Sequence, residues 1–177
     1  MHSCFLRRNG WYCLESDVAR SPELAGYRGL LDPELRSYFN NTFWSYGEPG
    51  EDCYSGWGPN VELMKNLGID FELNCMGPLA DTIIAERLAA GGSSVFFLWE
   101  PHPLHKQYVL NRIQLPTYAK AKFDEGLSDY PTDILVKTAS ATLPKLAPKV
   151  WQMLQRFMID RCELLAPAPE RQARKRR

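Results

Sequence analysis

Residues 60–99, NVELMKNLGIDFELNCMGPLADTIIAERLAAGGSSVFFLW, decide the fold class. Asn60 is a helix-capping residue type. Val61, Leu63, Met64 and Leu67 follow at helical spacing, and Gly68 is the residue type that closes a helix. Ile69-Asp70-Phe71-Glu72-Leu73 alternates apolar and polar, as a half-buried strand does. Leu79, Ala80, Ile83, Ile84 and Leu88 return to the helical period until Gly91-Gly92 stops it. Val95-Phe96-Phe97-Leu98-Trp99 is a continuous apolar run of strand length, suited to a strand covered on both faces. Helix, strand, helix, strand predicts an α/β architecture with its sheet faces covered.

Outward from this segment the pattern is less regular. Residues 10–58 are rich in Gly, Pro, Tyr and Trp and hold one short predicted helix. Its start is Asp32-Pro33-Glu34-Leu35, an N-cap with a first-turn proline, and it should end near Phe39, before Asn40-Asn41. Gly47, Pro49 and Gly50 then mark a loop. Beyond Trp99, three prolines (Pro101, Pro103, Pro116) keep the chain extended, with a strand expected within Tyr108–Leu115. Ile134-Leu135-Val136 predicts a buried strand. Pro148 opens an amphipathic helix with Val150, Trp151, Leu154, Phe157 and Met158 on one stripe. The end, APAPERQARKRR from Ala166, has the composition of a disordered tail.

The totals bound the function classes. A chain of 177 residues that is 45% hydrophobic and 12% aromatic can build one ordinary core or two small lobes. The formal charge of zero hides an asymmetry. The last seven residues carry five of the 21 basic groups, leaving 16 against 21 acidic groups in the body. No run approaches a membrane span, and the start lacks the apolar stretch of a secretory leader. Cys4, Cys13, Cys53, Cys75 and Cys162 are scattered without a CxxC pair. They read as buried small hydrophobes or free thiols, compatible with at most one incidental disulfide. No GxSxG, phosphate-cradling glycine loop or paired Cys/His signature is present. The basic tail is read as a solvated end, and no nucleic-acid partner is expected.

Several stretches, in order, resemble one family. Asn9-Gly10-Trp11-Tyr12 is similar to the GWY segment of the substrate-binding proteins of glycine betaine/proline ABC importers. Gly56-Trp57-Gly58, followed by Leu67-Gly68-Ile69, resembles their GWG-type segment. Phe97-Leu98-Trp99-Glu100-Pro101-His102 matches their W-x-P-H stretch leaving an apolar strand. Tyr108-Val109-Leu110 and Leu115-Pro116 follow as their downstream element does, and Tyr130-Pro131-Thr132-Asp133 resembles their closing portion.

What the resemblance implies is an α/β, periplasmic-binding-protein-like (type II) two-lobed clamp, incomplete in this chain. Residues 1–8 would be an N-terminal remnant, 9–98 most of lobe two, 99–163 the returning part of lobe one, and 164–177 the basic tail. It further implies a non-enzymatic role in import without a cofactor. The ligand would be glycine betaine, proline betaine or choline, the partner a membrane permease subunit, and the location periplasmic or otherwise extracytoplasmic.

A quaternary ammonium has no N–H to donate, so electron-rich ring faces must hold it, each giving about 0.5–2 kcal/mol. Trp99 and Trp57 are the expected walls, and His102 is the expected donor to a ligand carboxylate. Trp11 and Tyr12 are further candidates, with packing or a hinge as the alternative. Trp44 and Trp151 are expected in the core. Two other readings stand beside import: a ligand-sensing module of a larger receptor or a degenerate, non-binding fragment of the same fold, and a small enzyme or metal site using His102, His105 and Glu100. The prolines around that pair oppose the helix that would align it, and no third ligand is identifiable.

Overall fold

The central strand is the segment whose alternation is hardest to see. The computed structural model describes residues 5–47 and 60–157, and in it β1 (Phe5–Leu14) lies at the middle of a six-stranded sheet. The other strands are β2 (Thr42–Ser45), β3 (Glu72–Cys75), β4 (Val95–Glu100), β5 (Leu110–Arg112) and β6 (Thr132–Leu135). Their order is β3-β2-β4-β1-β5, with β6 paired to the first half of β1. β2 runs parallel to both β3 and β4, whereas β1 is antiparallel to β4, β5 and β6. The sheet is thus mixed, with a parallel block on one side.

Among the described residues, eight short α-helices accompany the sheet: α1 (Glu15–Arg20), α2 (Pro33–Ser37), α3 (Asn60–Leu67), α4 (Ala80–Ala89), α5 (Leu104–Gln107), α6 (Lys120–Asp124), α7 (Leu143–Leu146) and α8 (Pro148–Arg156). α2 starts as its sequence dictates: the Asp32 carboxylate accepts the Glu34 amide at 2.8 Å. Asn40 and Asn41 then turn the chain at positive φ, which asparagine tolerates. Gly68, at φ 73°, closes α3.

Register sorts the core into two faces. Trp11 stands opposite Phe97, and Phe43 opposite Val95, so these four share one face. α3 and Tyr130 cover it. Tyr12 and Phe96 share the other face, where Arg87 of α4 lies over the Trp44 ring at 3.9 Å and His105 of α5 meets the Tyr12 ring edge. Trp11, Tyr12, Phe43, Phe96 and Phe97 are all fully buried. Each such side chain contributes roughly 1.5–3 kcal/mol of burial free energy.

Several expectations are corrected. The strand predicted at 69–73 lies at 72–75; Ile69 and Phe71 are buried but belong to the turn entering it. The strand expected within Tyr108–Leu115 is present, as the three residues of β5. Ile134, Leu135 and Val136 are exposed instead of buried, because among the described residues β6 pairs with β1 alone. Trp151 is half-buried outside the core, since among the described residues no layer packs over the stripe of α8. Trp44 is likewise only partly buried. Cys13 is a buried free thiol and Cys75 is disulfide-bonded, both within what the cysteine spacing allowed. The Trp57 segment and the basic tail lie outside the described residues.

Candidate binding site at the strand carboxyl ends

Parallel strands β2, β3 and β4 end together, and the chain leaves each through a short turn: Tyr46 after β2, Met76-Gly77 after β3, and Pro101-His102 after β4. The crevice outside such carboxyl ends is where open α/β sheets collect ligand-binding groups. Backbone bonds fix the turns to one another, from the Met76 amide to the Ser45 carbonyl (3.0 Å) and from the Gly77 amide to the Gly47 carbonyl (2.6 Å). β1 brings Arg7 and Asn9 to the same end because it runs antiparallel to β4, with Asn9 opposite Trp99.

Trp99 sits at the centre, half-buried. The Tyr46 ring is tilted against it with centroids 5.0 Å apart, and His102 meets it edge-on at 5.0 Å and 88°. Phe97 supports both Tyr46 and Trp99 from the core. The Arg7 guanidinium carbon lies over the Trp99 ring, 4.6 Å from its centroid, within cation–π range.

His102 is buried, and its hydrogen bonds fix its tautomer. Nδ1 accepts the Leu104 amide at 3.3 Å, so the ring proton belongs on Nε2, which faces Asp81 Oδ1 at 3.4 Å. Burial holds the imidazole below the usual histidine range, and the Asp81 carboxylate opposes that shift only in part. His102 is therefore a neutral donor through Nε2. Asp81 Oδ1 also accepts the Tyr46 hydroxyl at 2.5 Å. Burial, with Asp81 second, raises the Tyr46 phenol, keeping it protonated and donating.

Trp11 and Tyr12 are placed differently. Trp11 Nε1 donates to Asn60 Oδ1 (2.8 Å) and the Tyr130 hydroxyl (3.0 Å), and its ring packs on Phe43. Tyr12 is fully buried on the opposite face, its phenol raised mainly by burial. Both are core side chains in this arrangement, and Trp57 lies outside the described residues. The residues that sequence reasoning missed are Tyr46, Asp81 and Arg7. Tyr46 had a signal, the Phe43-Trp44-Ser45-Tyr46 run, whose alternation is strand-like. Asp81 resembles any acidic residue in a first helical turn, and Arg7 carried no signal.

A search with protein-family models finds no match, and no curated protein matches the chain. Solved structures do. One is the glycine betaine, L-proline ABC transporter binding protein (ProX) of Borrelia burgdorferi, at 12% identity and a TM-score of 0.52. The match covers 90% of this chain and 54% of that one. Another is an ABC-transporter choline-binding protein in an unliganded, semi-closed conformation, at 14% identity and a TM-score of 0.50, covering 93% and 54%. The chain has a type II periplasmic-binding-protein fold. It spans about half the length of the binding proteins it matches, so the type II clamp is incomplete in these residues.

Proposed function

We propose that this chain contributes to a quaternary ammonium site in the substrate-binding component of an ABC importer, with glycine betaine, proline betaine or choline as ligand. The observation that carries this reading is the Trp99 cluster. A half-buried indole at the strand carboxyl ends is flanked by Tyr46 and by a neutral histidine donor, and a cation already lies on its face. The ring supplies attraction for an ammonium that cannot donate a hydrogen bond. His102 Nε2 and the Tyr46 hydroxyl supply donors for a carboxylate.

The likeness to binding proteins whose names specify glycine betaine, proline and choline supports the ligand class and the permease partner. The Cys75 disulfide supports an oxidising, extracytoplasmic location.

Calorimetry with glycine betaine tests the reading. The 177-residue chain should give a saturable binding heat, and Trp99→Leu, which keeps an apolar residue in contact with Phe97, should lose it. An unchanged denaturation midpoint in that variant would establish that its fold survives. Equal heats for both proteins would exclude Trp99 as the ammonium contact.

A further inference from the structure

The donors and the ring of this site are not idle. The face of Trp99 carries the Arg7 guanidinium at 4.6 Å, where a ligand cation would stand. The Tyr46 hydroxyl and His102 Nε2 both point at one oxygen, Asp81 Oδ1, at 2.5 and 3.4 Å. A cation on the ring and a carboxylate on the two donors reproduce, with the protein's own side chains, the two ends of a zwitterion such as a betaine. The electrostatics tie the groups into one cluster: the charge of Arg7 acts on both Tyr46 and His102, and that of Asp81 acts on the same two.

We propose that Arg7 and Asp81 are placeholder side chains, occupying the ammonium and carboxylate positions of the site until a zwitterionic ligand displaces both. The inference rests on the ammonium-binding reading above and extends it to selectivity. Asp81 is suited to leave, since its side chain is 61% exposed while the His102 side chain is 5% exposed. A carboxylate released into water regains hydration, and the buried donors are re-satisfied by the ligand's own carboxylate, so no donor is stranded.

A simple cation such as tetramethylammonium fares worse. It must displace Arg7, it stays close to the displaced positive charge, and it brings nothing to exchange with Asp81 at the donors. The placeholders therefore favour zwitterions over cations, by exchange on both ends at once.

Two conservative variants separate the ends. Arg7→Gln in the full chain should raise affinity for tetramethylammonium chloride by about tenfold, the scale of one partly desolvated cation–π contact. Asp81→Asn should raise affinity for glycine betaine and give no such gain for tetramethylammonium, because only a carboxylate competes with Asp81. A direct readout comes from NMR of the wild-type chain. The Arg7 δ-protons should resonate upfield in the free protein, shifted by the Trp99 ring current, and should return to random-coil positions as glycine betaine saturates the site.

Unshifted Arg7 protons in the free chain overturn the proposal without reference to any ligand. Glycine betaine binding with Arg7 still upfield, or with both variants indistinguishable from wild type, overturns it while leaving ammonium recognition intact. Absence of binding by the wild type and by both variants overturns both readings together.

Discussion

At the scale of single residues, the protonation of His102 links the site to stability. Its ring is buried between Trp99 and the start of α5 and faces Asp81; His105 and Arg7 add positive charge nearby. Burial and these cations lower its pKa, and Asp81 opposes them. In the unfolded chain the imidazole titrates near the ordinary value of about 6.5. The folded state therefore binds fewer protons than the unfolded state between the lowered pKa and that value. Stability contributed by the neutral ring is full above about pH 6.5 and falls as pH drops towards the folded pKa. The loss is at most about 1.4 kcal/mol per pH unit for this one group. Urea midpoints measured between pH 7.5 and 5 should decline more steeply for the wild type than for His102→Asn, whose amide can still cap the Leu104 N–H. Parallel curves would remove His102 as the cause.

Among the elements, a buried polar knot decides how the sheet holds its cover. Asn60, at the first turn of α3, accepts from Trp11 Nε1 of β1 and from the Tyr130 hydroxyl ahead of β6, and donates to Ser45 Oγ of β2 at 3.1 Å. One side chain thereby joins two strands, one helix and one loop, all behind the Trp99 cluster. Asn60→Leu would leave a buried hydroxyl and indole with fewer partners, at a cost of roughly 1–3 kcal/mol. A urea midpoint lowered accordingly, with unchanged slope, is the expected result; an unchanged midpoint would mean the knot is dispensable.

The same elements explain what was legible beforehand. Residues 60–99 announced α3 and α4 because a helix covered on one side writes its period into the chain, and β4 because a strand covered on both faces is a continuous apolar run. β1 was missed because both its faces are buried near Trp11 and Tyr12 while Arg7, Arg8 and Asn9 line its outer half, so neither alternation nor an apolar run survives. At the site, Trp99 and His102 were legible from the W-x-P-H resemblance and are brought together. Asp81 and Tyr46 join them only through tertiary packing, 35 positions apart from each other, which local spacing cannot reveal.

For the molecule as a whole, the question is what covers the half of the sheet beyond the site. Leu6, Ile134, Leu135 and Val136 on and after the β1–β6 ribbon are 52%, 61%, 43% and 74% exposed, and Leu146, Val150, Met153 and Phe157 around α8 are 80%, 48%, 63% and 51% exposed. Single exposed apolar residues are ordinary, but eight of them on the ribbon and around α8 leave apolar surface of the kind that interfaces cover. Among the described residues the ribbon also has an unpaired strand edge, which is itself a template for pairing. The chain matches about half the length of the binding proteins with its fold, so apolar surface is expected to remain for further layers to cover. The 177-residue chain on its own should therefore self-associate. Light scattering across a concentration series should show a mass rising above 20.3 kDa. Val150→Lys with Met153→Lys should lower that mass towards the monomer without shifting the denaturation midpoint, because neither side chain is buried in the fold. A monodisperse monomer at every concentration would mean that the patch is not adhesive and that the type II half-clamp is self-sufficient as it stands.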